Sequence, residues 1–204
     1  MLCLVTDRSA ARRPLPEVVA RAVAGGVDWV QVRERGLPGA ALLELAVEIA
    51  RAARAANPSV RILMNRRIDV SLAAALDGVH LGFDAMPAAA ARGLLGHAAT
   101  LGVATHAPEE LGGVDRGVID YVHLAPIHPP RSKPASRPPL GLAALHKASA
   151  HGLPVLAQGG IDADNAAACL AAGAAGVAVT GALLACDDPE AAAHGLRLAL
   201  DAGA

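Results

Sequence analysis

The feature that most restricts this chain is an unbroken alternation: apolar runs of four or five residues, each followed by polar or glycine-containing sequence and, in most repeats, an Ala/Leu-rich stretch of helical length. The runs fall at 2–6, 29–33, 61–64, 78–81, 100–104, 121–125, 154–157 and 176–179, roughly 25 residues apart. Most are rich in Val, Ile and Leu, as strands buried on both faces of a parallel sheet must be. Between them the pattern predicts helices over 16–24, 40–56, 88–95, 142–150, 163–172 and 190–202. Gly25-Gly26, Gly152 and Gly173 stand where C-terminal caps are expected. Eight such repeats fill 204 residues and predict an α/β chain forming a single (β/α)8 TIM barrel, one domain over 1–204.

Composition narrows the function. A formal net charge of -1 and only three aromatic residues, Trp29, Phe83 and Tyr121, leave neither a basic stripe nor a stacking platform, so no nucleic-acid partner is expected. No apolar stretch has the length of a membrane span, and the first apolar run, interrupted by Asp7-Arg8, is too short for a signal peptide. Cys3, Cys169 and Cys186 show no metal-binding spacing and read as buried thiols in a reducing compartment, so a cytoplasmic protein is expected. A homodimer is only the commonest assembly for such a chain.

In a TIM barrel the chemistry lies where the strands end. The seventh and eighth runs end in Gln158-Gly159-Gly160 and Thr180-Gly181, the arrangement that offers main-chain N–H groups and a helix N-terminus to a phosphate. Glycine there lets the backbone approach the anion. The second run ends in Gln31, Arg33 and Arg35, which strict alternation sends to one side, and buried guanidiniums need anions. The third ends in Asn65-Arg66-Arg67, Asn65 serving either a heterocycle's edge or the next helix's cap. His80 and His106 stand at the ends of runs four and five, each also readable as a hydrogen-bonded structural histidine, and run six contributes His123 and His128. After run six, residues 126–141 hold six prolines and three cations and cannot form a helix; they read as a lid over the mouth or as a stiff exposed connector. Arg33, Arg35, Arg66 and Lys133 opposite a glycine nest favour a ligand with two anionic ends.

In order and spacing, Leu4-Val-Thr-Asp7, Gln31-Val-Arg-Glu-Arg35, Asn65-Arg-Arg67, Gly78-Val-His-Leu-Gly82, Gly102-Val-Ala-Thr-His106, Ala125-Pro-Ile-His-Pro-Pro130, Ser132-Lys133 and Gln158-Gly-Gly-Ile161 resemble the thiamine phosphate synthase/TenI superfamily, from about residue 2 to about residue 184. Synthases of that family are barrels joining a pyrimidine diphosphate to a thiazole phosphate, with Mg²⁺ holding the departing diphosphate. The resemblance implies that Gln31, Arg33 and Asn65 contact the pyrimidine diphosphate, that Ser132 and Lys133 belong to the lid, and that Gly159 and Gly160 cradle the product phosphate.

Five positions depart from the family's pattern: Arg35 for a lysine, Arg66 and Ala85 for two metal-binding aspartates, Ala104 for a serine and Pro130 for a threonine. Mg²⁺ needs one or two protein carboxylates beside substrate phosphates, and both expected ones are missing. The resemblance therefore favours the TenI-like branch: a thiazole tautomerase, an isomerase that moves a proton on a thiazole phosphate without metal or other cofactor. Proton transfer would fall to His128, with His106 second; the branch's own histidine position holds Pro126. Gln31, Arg33, Arg35, Asn65, Arg66, Ser132 and Lys133 would bind substrate, and Gly159, Gly160, Thr180 and Gly181 its phosphate. The alternatives are the synthase itself, a transferase, and a non-catalytic binder of thiazole or thiamine phosphate.

Overall fold

A computed structural model describes residues 1–82, 84–129 and 137–203. Eight strands, β1 (Leu2–Val5), β2 (Trp29–Val32), β3 (Arg61–Asn65), β4 (Gly78–Leu81), β5 (Thr100–Thr105), β6 (Tyr121–Leu124), β7 (Val155–Gln158) and β8 (Gly176–Val179), pair in parallel, each with the next and β8 with β1, to close a barrel. Every expected strand is present within a residue or so at its ends.

Outside the barrel lie α1 (Leu15–Ala24), α2 (Gly39–Ala56), α3 (Ile68–Ala73), α4 (Ala88–Leu95), α5 (Gly141–Ser149), α6 (Ala166–Ala171), α7 (Gly181–Leu184) and α8 (Pro189–Ala202). Each long helix buries one stripe. On α2 it is Leu42, Ala46, Ile49, Ala50 and Ala53, the 3.6-residue period of an amphipathic helix. Asp188 caps α8 by accepting from the Glu190 and Ala191 N–H groups. The six-residue α3 and four-residue α7 are too short to show a period in sequence. After β5 a 3-10 turn, Pro108–Gly113, replaces a helix. Among the described residues no helix is long and apolar enough to cross a membrane.

Strand alternation divides the core in two. Outward residues such as Leu4, Val30, Ile62, Val79, Val122 and Val177 pack on the helices. The inward cluster is small: Cys3, Val5, Leu63, Tyr121, Leu156 and Ala178, with Trp29 edge-on to Tyr121 at 5.0 Å between centroids. Gly102 makes room for Tyr121, since a Cβ there would lie 2.2 Å from the ring. The same alternation puts polar side chains inside at the C-terminal ends of the strands.

Candidate active site

Those inward positions are Gln31, Asn65, His80, His123 and Gln158, on strands held in register by the pairs Val5–Gln31, Asn65–His80 and Ala104–His123. Asn65 Nδ2 donates to Gln31 Oε1 at 3.1 Å. His80 Nδ1 meets the Tyr121 hydroxyl at 3.0 Å, and His123 Nδ1 meets Gln158 Oε1 at 3.2 Å. The two imidazoles lie 4.3 Å apart. Burial lowers the His123 pKa to about 4 and holds His80 well below the ordinary histidine range, the His123 ring adding to the effect. Both rings are therefore neutral at pH 7, and with Nδ1–H given to Gln158, His123 Nε2 keeps a free lone pair. Gln31 Nε2 and His123 Nε2 are buried with no hydrogen-bond partner among the described residues. An unpaired buried polar group costs about 1–3 kcal/mol, so this layer is poised for a ligand that supplies partners.

Above the layer the strand ends carry charge. The buried Thr6 hydroxyl donates to Glu34 Oε1 at 2.6 Å and accepts the Arg33 N–H at 2.9 Å, fixing the segment after β2. Regular pairing stops at Val32, so the expected common face of Gln31, Arg33 and Arg35 is not kept: Gln31 points into the barrel, whereas Arg35 turns toward β3. There Arg35, Leu42, Met64, Asn65 and Arg66 line a cavity of about 210 Å³. Burial, and then the nearby Arg35 charge, lower the Arg33 pKa, so an anion would relieve both. Arg66 sits in the left-handed region at φ 68 and donates to Asp84 at 2.7 Å. Arg67 turns to solvent in a two-pronged pair with Asp69 at 2.8 and 2.6 Å. Asn65 caps nothing: the residue before α3 is Arg67, which makes no side-chain cap.

Across the mouth, Gly159 and Gly160 adopt φ 95 and 63. The glycine requirement expected for a phosphate has a nearer cause. A Cβ on Gly160 would lie 2.4 Å from the Pro129 carbonyl oxygen, and one on Gly159 2.8 Å from Pro126 Cβ. The β7 turn is packed against the segment leaving β6, whose Ile127 and His128 N–H groups donate to Gln158 O and Gly159 O. Asn165, which sequence reasoning passed over, donates to Gly160 O at 2.8 Å and accepts from the Asp162 N–H, fixing the turn. An Asn five residues after a Gly-Gly pair was the available signal. Thr180 precedes α7, whose first N–H groups have no intrahelical acceptor.

The expected acid/base residues do not converge on the polar layer. His128 turns toward α6, its Nε2 3.9 Å from Cys169 Sγ. His106 lies beyond β5, its backbone N–H held by Glu110. Ser132 and Lys133 lie outside the described residues.

Fold and site together define a (β/α)8 barrel with a polar floor and a cationic rim at the C-terminal ends of its strands. Within that class, the chain belongs to the thiamine monophosphate synthase (TMP-TENI) family, whose profile matches residues 2–183. It is 43% identical over 199 residues to a putative thiamine-phosphate synthase of Geobacter sulfurreducens, covering 96% of this chain and 92% of that one. It is 40% identical over 195 residues to the thiamine-phosphate synthase of Roseiflexus castenholzii, covering 95% and 85%. The thiamine phosphate pyrophosphorylase structure from Pyrococcus furiosus superposes with a TM-score of 0.87 at 28% identity, over 98% of this chain and 95% of that one.

These similarities overturn the tautomerase expectation: relatives aligned over nearly the whole chain carry the synthase name, not that of an isomerase. The direction of His128 toward Cys169 gives the physical counterpart.

The Mg²⁺ that the family implies does not fit the residues here. Asp84, the carboxylate nearest the expected positions, is engaged by Arg66. Glu34 holds the Thr6 hydroxyl and the Arg8 N–H, and Asp7 holds both the N–H and hydroxyl of Ser9. Among the described residues no group of three or more His, Cys, Asp or Glu side chains converges as a metal site.

Proposed function

We propose that the chain is a thiamine-phosphate synthase, a transferase joining a hydroxymethylpyrimidine diphosphate to a thiazole phosphate. The identity to relatives of that name supports the reaction. The observation that carries it to this site is the unpaired Gln31 Nε2, buried beside Asn65, which in turn lines the rim cavity with Arg35 and Arg66. Gln31 Nε2 offers a donor to a pyrimidine ring nitrogen, and His123 Nε2 offers a lone pair within the same layer. Arg33 and Arg35 take the diphosphate, while the Gly159-Gly160 turn and the first N–H groups of α7 face the thiazole phosphate. The thiazole nitrogen gives its electron pair to the pyrimidine methylene, the C–O bond breaks, and its electrons leave with inorganic pyrophosphate. Holding the two reactants in line, away from water, is the main contribution of such a site.

The test is pyrophosphate release with the purified chain, both substrates and MgCl₂, with thiamine phosphate identified by chromatography. Release that requires both substrates is the expected result. No thiamine phosphate over hours at micromolar protein would refute the reading.

A further inference from the structure

Arg66 stands at the position where the family's pattern has a metal-binding aspartate, and its geometry is specific. Its backbone is left-handed at φ 68, a conformation that costs an ordinary side chain about 1–2 kcal/mol. The amide donates to His80 O at 2.9 Å, and the side chain lies along Gly82, its Cδ and Cζ 3.4 Å from where a Cβ would stand. Asp84 pairs with the guanidinium at 2.7 Å, both side chains about half exposed at the rim. The second expected aspartate is Ala85, so the loop that would chelate a cation instead tethers one. Arg66 lines the same cavity as Arg35, and Arg33 lies close enough to feel both charges. Three guanidiniums thus gather at one corner. The neighbouring carboxylates Glu34 and Asp7 are turned onto hydroxyl and main-chain donors.

Resting on the synthase reading, we propose that the tethered Arg66 guanidinium, with Arg33 and Arg35, takes over the role of the divalent cation, so that this chain releases pyrophosphate without Mg²⁺. The C–O bond electrons pass to the leaving diphosphate as the C–N bond forms, and guanidinium forks, which match phosphate oxygens two at a time, stabilise the charge. No proton or redox partner is needed.

The experiment is thiamine phosphate formation after metal stripping, in EDTA, against the same protein with added MgCl₂. Comparable rates in both, within about threefold, support the proposal. Turnover that appears only with MgCl₂ overturns it and leaves the synthase reading standing; product in neither condition overturns both. Binding of inorganic pyrophosphate in EDTA, followed by calorimetry, gives a readout apart from turnover. Arg66→Asn suits a left-handed backbone and keeps the fold. It is expected to weaken pyrophosphate at least about tenfold, the scale of a charge-assisted contact. Unchanged affinity would count against the proposal. The double variant Arg66→Asp with Ala85→Asp restores the family's carboxylates, and its turnover is expected to require MgCl₂. Magnesium-independent turnover in that double variant would show that Arg66 is not the substitute.

Discussion

His80 and His123 stack inside the barrel with ring centroids 4.3 Å apart and planes inclined by 39°, both all but closed to solvent. Two neighbours this close and this far from solvent cannot both be charged, and burial lowers both. The unfolded chain therefore binds protons more readily than the native one. Stability is full above about pH 6.5 and falls as pH drops from the ordinary histidine pKa of 6.5 toward the His123 value of about 4. By pH 4 the His123 contribution alone amounts to roughly 3 kcal/mol, at about 1.4 kcal/mol per unit. Urea midpoints measured from pH 4 to 8 should decline over that window, and His123→Leu should flatten part of the slope. An NMR titration midpoint near 6.5 for either ring would contradict this.

Gly160 and Gly36 share a positive φ, 63 and 76, yet differ in what surrounds them. A Cβ at Gly36 meets nothing within 4 Å, whereas one at Gly160 collides with the Pro129 carbonyl and His128. Gly36→Ala is expected to cost only the left-handed penalty of about 1 kcal/mol. Gly160→Ala adds a main-chain clash and should cost roughly 3 kcal/mol or more, seen in urea unfolding. Equal losses would mean that the turn after β7 yields freely.

The barrel was legible because strands buried on both faces write apolar runs, and parity within a run carried Gln31 to the polar interior. Parity failed past the ladder: beyond Val32 no neighbour enforces alternation, so Arg35, three residues on, turned to β3. The direction of His128 was illegible because it depends on how the chain after β6 docks on Gly159 and Gly160, a contact some thirty residues distant. Arg66 and Ala85 were read as a lost activity, whereas identity along the whole chain weighs for the synthase. A motif shows which group is absent; only the fold shows that the residue standing there, Arg66, is paired with Asp84.

Thr6 links β1 to the segment after β2, donating to Glu34 and accepting from the Arg33 amide. Thr6→Val keeps the shape and removes both bonds, leaving the Arg33 N–H without its acceptor, at about 1–3 kcal/mol. The loss should appear as a raised KM for the pyrimidine diphosphate, with kcat less affected, because Arg33 loses its position and not its charge. Thr6→Ser should restore both bonds and most of the affinity. If Thr6→Val leaves KM unchanged, the hydroxyl does not position Arg33.

Gln31 separates stability from binding. Its Nε2 has no partner among the described residues, while its Oε1 accepts from Asn65, which is only partly buried and can turn to water. Gln31→Met removes an unpaired buried donor and fills a similar volume, so the thermal midpoint should hold or rise. The same change deletes the donor offered to the heterocycle, and KM for the pyrimidine diphosphate should rise about tenfold or more, a hydrogen bond's worth of roughly 1.4 kcal/mol. Pyrophosphate affinity should stay near wild type, because Arg33, Arg35 and Arg66 are untouched. A core residue gives a different pattern, with midpoint and affinities falling together, and that outcome would remove Gln31 from the substrate site.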